Sequence, residues 1–341
     1  MSFASEYARW SDPRMSRTTF MRTRNTLVTA ALLAGLLALA TPAAAYVRTT
    51  TTTGVPTAWR TPCVTMEFSL GAPPLELDAA AYLSAAKAAG ATWSQASFDG
   101  VQQCSNVIFT VVPVADVAGQ VGMDYRNRLI FRQGECPACS GAWCSDPLPK
   151  DGSCYDRSAL AITSVFQIKS TGEIVDADLE VNATTYTWGD YVGYPEQFES
   201  NTHDFQGTIT HEFGHVIGLD HTCYTPGTRT DGTPIPRPVD NNRNLVPDCT
   251  ADNPPLITQA TMYVSVATPS AEVELRSLSP DDVQGACEIY PFTPNFVCLP
   301  PSRSDSGSGS GGCSYATQPG PGAIASVLML FAMAMVLRRR R

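Results

Sequence analysis

The stretch HEFGHVIGLDH at 211–221 constrains this chain more than any other segment. His211 and His215 are four residues apart. On a helix of 3.6 residues per turn they project from one face, one turn apart, and can share a metal ion. Two imidazoles alone would hold that ion loosely. Gly218 can take a positive φ at little cost, which lets the helix stop and the chain fold back to bring in His221 as a third ligand. Three neutral nitrogens leave a fourth tetrahedral position open, the donor set of a reactive zinc rather than a structural one. Glu212, next to His211, is placed to take a proton from water. Three of the chain's 4 histidines fall in this pattern, which makes accident a poor explanation. The remaining one, His203, is expected to be an exposed loop residue.

The surroundings read as one domain with no internal repeat. Alternating apolar residues predict a strand over 64–70, and the Ala-rich, helically spaced run 77–93 predicts a helix. Short strands are expected over 107–112 and 128–131. Those over 160–168 and 174–181 flank Ser170-Thr171-Gly172, a hairpin signal. Strands followed by a helix that carries the histidines give an α/β (α+β) class, with a mixed twisted sheet and an active-site helix.

Both ends read as addresses. Arg22 and Arg24 precede an apolar run at 27–40 and the small-residue site Ala43-Ala44-Ala45, so 1–45 is expected to be a secretory signal region, with Met21 or Met15 as alternative starts. Cleavage after Ala45 would make Tyr46 the first mature residue. At the other end a Gly/Ser linker with Cys313 occupies 301–322, and 323–341 holds an apolar helix plus four terminal arginines, a marginal transmembrane span with a stop. Between the ends, 46–337 carries 14 Lys and Arg against 30 Asp and Glu, which speaks against nucleic-acid partners and suits cations or an extracellular setting.

Of 11 cysteines, setting Cys313 aside leaves ten, an even number that suggests up to five disulfides in an oxidising compartment. Proximity favours Cys223 with Cys249 and Cys287 with Cys298. Cys136, Cys139, Cys144 and Cys154 would form a local knot, or else a zinc site, although their spacing lacks the paired knuckles of a zinc ribbon.

With these motifs the sequence resembles the metzincin zinc proteases, and within them the matrixins. Besides the histidine motif, Ala260-Thr261-Met262-Tyr263 is similar to the family's Met-turn, and the run from Leu278 to Gly285 (LSPDDVQG) to the start of its C-terminal helix. That run also reads on its own terms, since Ser279 can cap, Pro280 suits the first helical position, and Asp281 and Asp282 favour the positive end of the dipole. Ala91-Thr92-Trp93-Ser94 and the segment from Gly172 to Asp178 resemble the first helix and the substrate-side strand. The likeness spans about 60–291. It implies a zincin fold over a catalytic domain at 46–300, and one catalytic Zn2+ on His211, His215 and His221. It further implies that Glu212 is the general base, with Gly218 and Met262 as structural residues near the site. The C-terminal end resembles the myxobacterial MYXO-CTERM sorting tail, which implies a bacterial protein, secreted or anchored at the outer-membrane surface, whose tail is processed near Cys313.

The sequence departs from vertebrate matrixins in lacking the histidines of their structural zinc and a PRCGxPD-type cysteine switch. It also carries a long insertion between His221 and Met262, and has Val264 where the family often has Pro. Within the insertion, Asp240, Asn242, Asn244 and Asp248 place oxygens at alternate positions as calcium (Ca2+) loops do, although an Asx-rich turn explains them more simply. Asp176 and Asp178 form another such pair, more simply the polar face of a strand. The expectation is a monomeric, exported zinc endopeptidase acting on protein or peptide substrates, touching a membrane only through its tail. The alternative from another class is a non-catalytic surface adhesion or binding protein on the same fold, against which the intact Glu212 speaks.

Overall fold

In the computed structural model, residues 46–69, 77–115, 121–132, 159–193, 195, 201–227, 234–250, 252–264 and 269–298 are described. They belong to the compact unit Ala45–Arg341; the other unit, Met1–Ala44, lies outside the described residues. The signal region, the four-cysteine group at 136–154, Cys313, the linker and the apolar tail also lie outside them. Among the described residues no helix is long and apolar enough to cross a membrane.

In chain order the elements are β1 (Val47–Arg48), β2 (Ala58–Trp59), β3 (Cys63–Ser69), α1 (Ala79–Ser94), β4 (Ile108–Val114), β5 (Arg128–Arg132), β6 (Ala161–Gln167), β7 (Glu173–Asn182), β8 (Thr187–Gly189), β9 (Thr202–Asp204), α2 (Phe205–Val216), β10 (Leu219–Asp220), α3 (Pro255–Thr258), α4 (Pro269–Glu274) and α5 (Pro280–Ile289). The main sheet runs β4-β3-β5-β7, with all these pairs parallel. β2 extends it beside the start of β7, and β6 pairs antiparallel with β7. The class is therefore mixed α/β with a mainly parallel sheet.

Local sequence explains each long element. On β3 the alternate residues Val64, Met66 and Phe68 are buried, as a half-buried strand requires. Helix α1 starts where the Asp78 side chain accepts from the Ala81 N–H at 2.6 Å. It then buries Tyr82, Ala86, Ala89 and Trp93, a stripe at helical spacing. Ser170-Thr171-Gly172 does turn β6 into β7, and Gly172 takes φ 73° with no room for a side chain, since a Cβ would lie 2.2 Å from the Pro56 carbonyl oxygen. Ala177, Leu179 and Val181 of β7 join α1 and α2 in one core, where Phe109 of β4 stacks on Phe213 of α2 at 4.5 Å between centroids.

Two expectations are corrected. Cys287 pairs with Cys104 and Cys298 with Cys63; the Cα–Cα distances are 5.3 and 5.7 Å. Sequence proximity misled because α5 returns against the loop after α1, where Asn106 N–H donates to the Tyr290 carbonyl, so the near partner is 183 residues away rather than 11. Cys223 does bond Cys249. Asp176 and Asp178 are also not a solvated strand face, because both are fully buried and accept the backbone N–H groups of Gly122, Asp124, Tyr125 and Arg128.

Candidate metal centre

Helix α2 carries the first two histidines, and side chains tie down both of its ends. Asp204 caps the start by accepting from Gly207 N–H at 2.8 Å. At the other end, carbonyls that lack helical partners are taken up by Trp59 Nε1 (to Val216) and by the Tyr290 hydroxyl (to Ile217), each at 2.8 Å. Gly218 then reverses the chain at φ 89°. A Cβ there would sit 2.7 Å from the Thr57 carbonyl oxygen, so both conformation and space require glycine. The chain continues into β10, which pairs antiparallel with β1, and this pairing delivers His221 back toward α2.

The three imidazoles meet. His221 Nε2 lies 3.3 Å from His211 Nε2 and 3.1 Å from His215 Nε2, and together they form the one group able to hold a metal ion among the described residues. Their tautomers follow from the other ring nitrogen. His211 Nδ1 is 2.6 Å from the Thr261 carbonyl and His215 Nδ1 is 2.9 Å from the Leu219 carbonyl. A carbonyl only accepts, so both Nδ1 atoms carry hydrogen and both Nε2 atoms present bare lone pairs. Burial and the neighbouring His215 hold His211 below its ordinary pKa, and burial with both neighbours holds His221 well below it. Neutral nitrogens with lone pairs aimed at one another repel unless a cation stands between them, so these residues fit a metal.

The support beneath is a relay of hydrogen bonds from α5. Ser279 and Asp282 form a capping box there, as the sequence suggested for the serine. Asp282 also accepts from the amides of Thr261 (2.8 Å) and Met262 (3.3 Å), which fixes the carbonyl that orients His211. Met262 is buried against α2. A Cβ on Gly214 would come within 2.1 Å of its sulfur, so the methionine packs where only a glycine-faced helix admits it.

Glu212 is buried and accepts from Thr163 Oγ1 of β6 at 2.6 Å. Both line an open cleft of about 770 Å³ together with the three histidines, Tyr263 and Val264. Among the described residues β6 pairs only with β7, and its Ala161, Thr163 and Val165 line this cleft. His203 also lines the cleft, half-buried on β9, with Nδ1 paired to the buried Glu272 and its ring edge-on to Tyr186 at 4.8 Å. It is not the exposed loop residue expected; Glu272 lies 69 residues away, and nothing in the sequence links the two. Thr163 was likewise invisible beforehand, as one hydroxyl in an alternating strand.

The calcium candidates take a different form. Asp240 accepts from the backbone and side-chain nitrogens of Asn244, an Asx-type turn with Arg243 at φ 67°. Asp248 pairs with Arg237, and Asn242 is exposed. The turn thus spends the Asp240 oxygens on its own donors. The chain matches no family model and no curated protein.

Proposed function

We propose that the chain is a zinc-dependent endopeptidase of the matrixin-like metzincin type, exported and acting on extracellular proteins or peptides. The observation that carries this reading is the convergence of three imidazole Nε2 atoms, two of them with the tautomer fixed by a carbonyl at Nδ1, beside the buried Glu212 carboxylate, all opening onto a cleft lined by β6. Zinc, when bound by His211, His215 and His221, supplies the positive charge that polarises a water molecule and the carbonyl of the bond to be cut. Glu212 accepts the proton of the attacking water and returns it to the departing amine. An extended peptide fits along β6, where main-chain hydrogen bonds give affinity and side-chain pockets give selectivity. The disulfides among the described residues suit an oxidising compartment.

Casein or gelatin zymography of wild type and Glu212→Ala tests the reading. Wild type is expected to clear the substrate, and Glu212→Ala to retain one zinc per chain while turnover falls by ~10³-fold or more. A wild-type protein without proteolytic activity, or a fully active Glu212→Ala variant, overturns it.

A further inference from the structure

Glu212 has two carboxylate oxygens, related by a turn of its terminal torsion, and only one orientation at a time can serve a proton transfer. The structure breaks that equivalence with one residue. Thr163 Oγ1 lies 2.6 Å from Glu212 Oε2 and 3.4 Å from the Glu212 backbone carbonyl. A hydroxyl has one hydrogen, and a carboxylate oxygen only accepts, so the short contact is Thr163 donating to Oε2. That leaves Oε1 without the Thr163 hydrogen bond, on a side chain that lines the cleft. The hydroxyl is itself well fixed. Thr163 sits in the middle of β6, registered opposite Leu179 of β7, and its β-branched side chain has few rotamers to choose from. On the same face of β6 its neighbours Ala161 and Val165 offer no donor that could replace it.

We propose that Thr163 is a positioning residue for Glu212: by holding Oε2 it keeps the carboxylate turned with Oε1 toward the reacting water and away from the metal position. This rests on Glu212 being the general base. The hydrogen bonds of the Thr163 hydroxyl both go to Glu212, so it acts through Glu212. Its loss should therefore lower kcat and leave both substrate binding and metal binding nearly unchanged, whereas damage to β6 would raise KM first.

The test compares Thr163→Val, which keeps the branched shape and strand preference without the hydroxyl, with Thr163→Ser, which keeps the hydroxyl without the methyl. Steady-state kinetics on a quenched peptide, zinc affinity by chelator competition, and the 13C signal of the Glu212 side-chain carboxyl in zinc-free protein are measured on each. Thr163→Val is expected to lose ~10- to 100-fold in kcat with KM and zinc affinity within about twofold, and to shift the Glu212 carboxyl signal. Thr163→Ser is expected to recover most of kcat and the wild-type signal. Wild-type kcat in Thr163→Val, an unmoved carboxyl signal, or a change confined to KM overturns the proposal. Glu212→Gln separates the two levels. If it is inactive while Thr163→Val is fully active, only the positioning role fails; if it is fully active, the base assignment fails first.

Discussion

Two polar clusters in this protein, the histidines of α2 and of the chain just after β10 and the aspartates of β7, have opposite hydrogen-bond economies. Two of the histidines spend Nδ1 on a carbonyl, and all three hold Nε2 toward a common point. Asp176 and Asp178 instead spend three of their four oxygens on backbone amides of 122–128, and among the described residues only Asp176 Oδ1 of the four has no hydrogen-bond partner. Burial and charge type alone do not separate a ligand site from an anchor; the direction of the unspent lone pairs does. The aspartates hold down a loop whose Tyr125 has φ 65°, a conformation that needs such over-determination in a non-glycine residue.

Elemental analysis breaks or sharpens this contrast most strongly. His215→Ala is expected to lose its one zinc, and with it all activity, while Asp178→Ala keeps a zinc stoichiometry of one. A second tightly held ion that disappears in Asp178→Ala would turn the anchor into a site. Next in size is stability. Asp178→Ala strips the acceptor from the amides of Gly122 and Arg128, which are part-buried, and is expected to cost about 2 kcal/mol in urea unfolding, with faster hydrogen exchange at those two amides. Unchanged exchange there would remove the anchoring role.

A smaller effect is the dependence on pH. Burial, reinforced by the charge of Asp176, pushes Asp178 up to about 7 against the amide bonds that lower it. A carboxyl with a folded pKa above its unfolded value binds more protons in the native state. Its contribution is therefore complete below the unfolded pKa and is lost as pH rises toward 7. The melting temperature is expected to fall over that range and to fall less in Asp178→Asn; a slope identical in the two proteins would show that the burden lies elsewhere. The smallest change is expected at Met262→Leu. It nearly conserves volume and should cost under ~1.5 kcal/mol with zinc retained, because thioether sulfur does not compete with three imidazoles. A sulfur neighbour in the zinc absorption spectrum would contradict this.

How much was legible in advance follows the range of the interactions. The pairing of His211 with His215, the stop at Gly218 and the cap at Ser279 are local, set by helical period, glycine's freedom and a short side chain reaching its own backbone. The strand over 64–70 and the helix over 77–93 also follow from periodicity, the strand over 174–181 from the hairpin signal before it, and the structure places elements there within a few residues. Short pieces such as β1, β8 and β9 carried no signal, since a run of two or three residues has no period to read.

What the sequence determined by itself, then, is the donor set: three imidazoles and a carboxylate spaced so that one helix and one reversal can gather them. Tertiary structure alone decided which partners orient that set. Thr163 reaches Glu212 across 49 residues, Asp282 reaches Thr261 across 21, and Cys104 finds Cys287 across 183. Such pairs are chosen by how the sheet and helices pack, because a hydroxyl or thiol has no preference of its own until close packing fixes which one neighbour it meets.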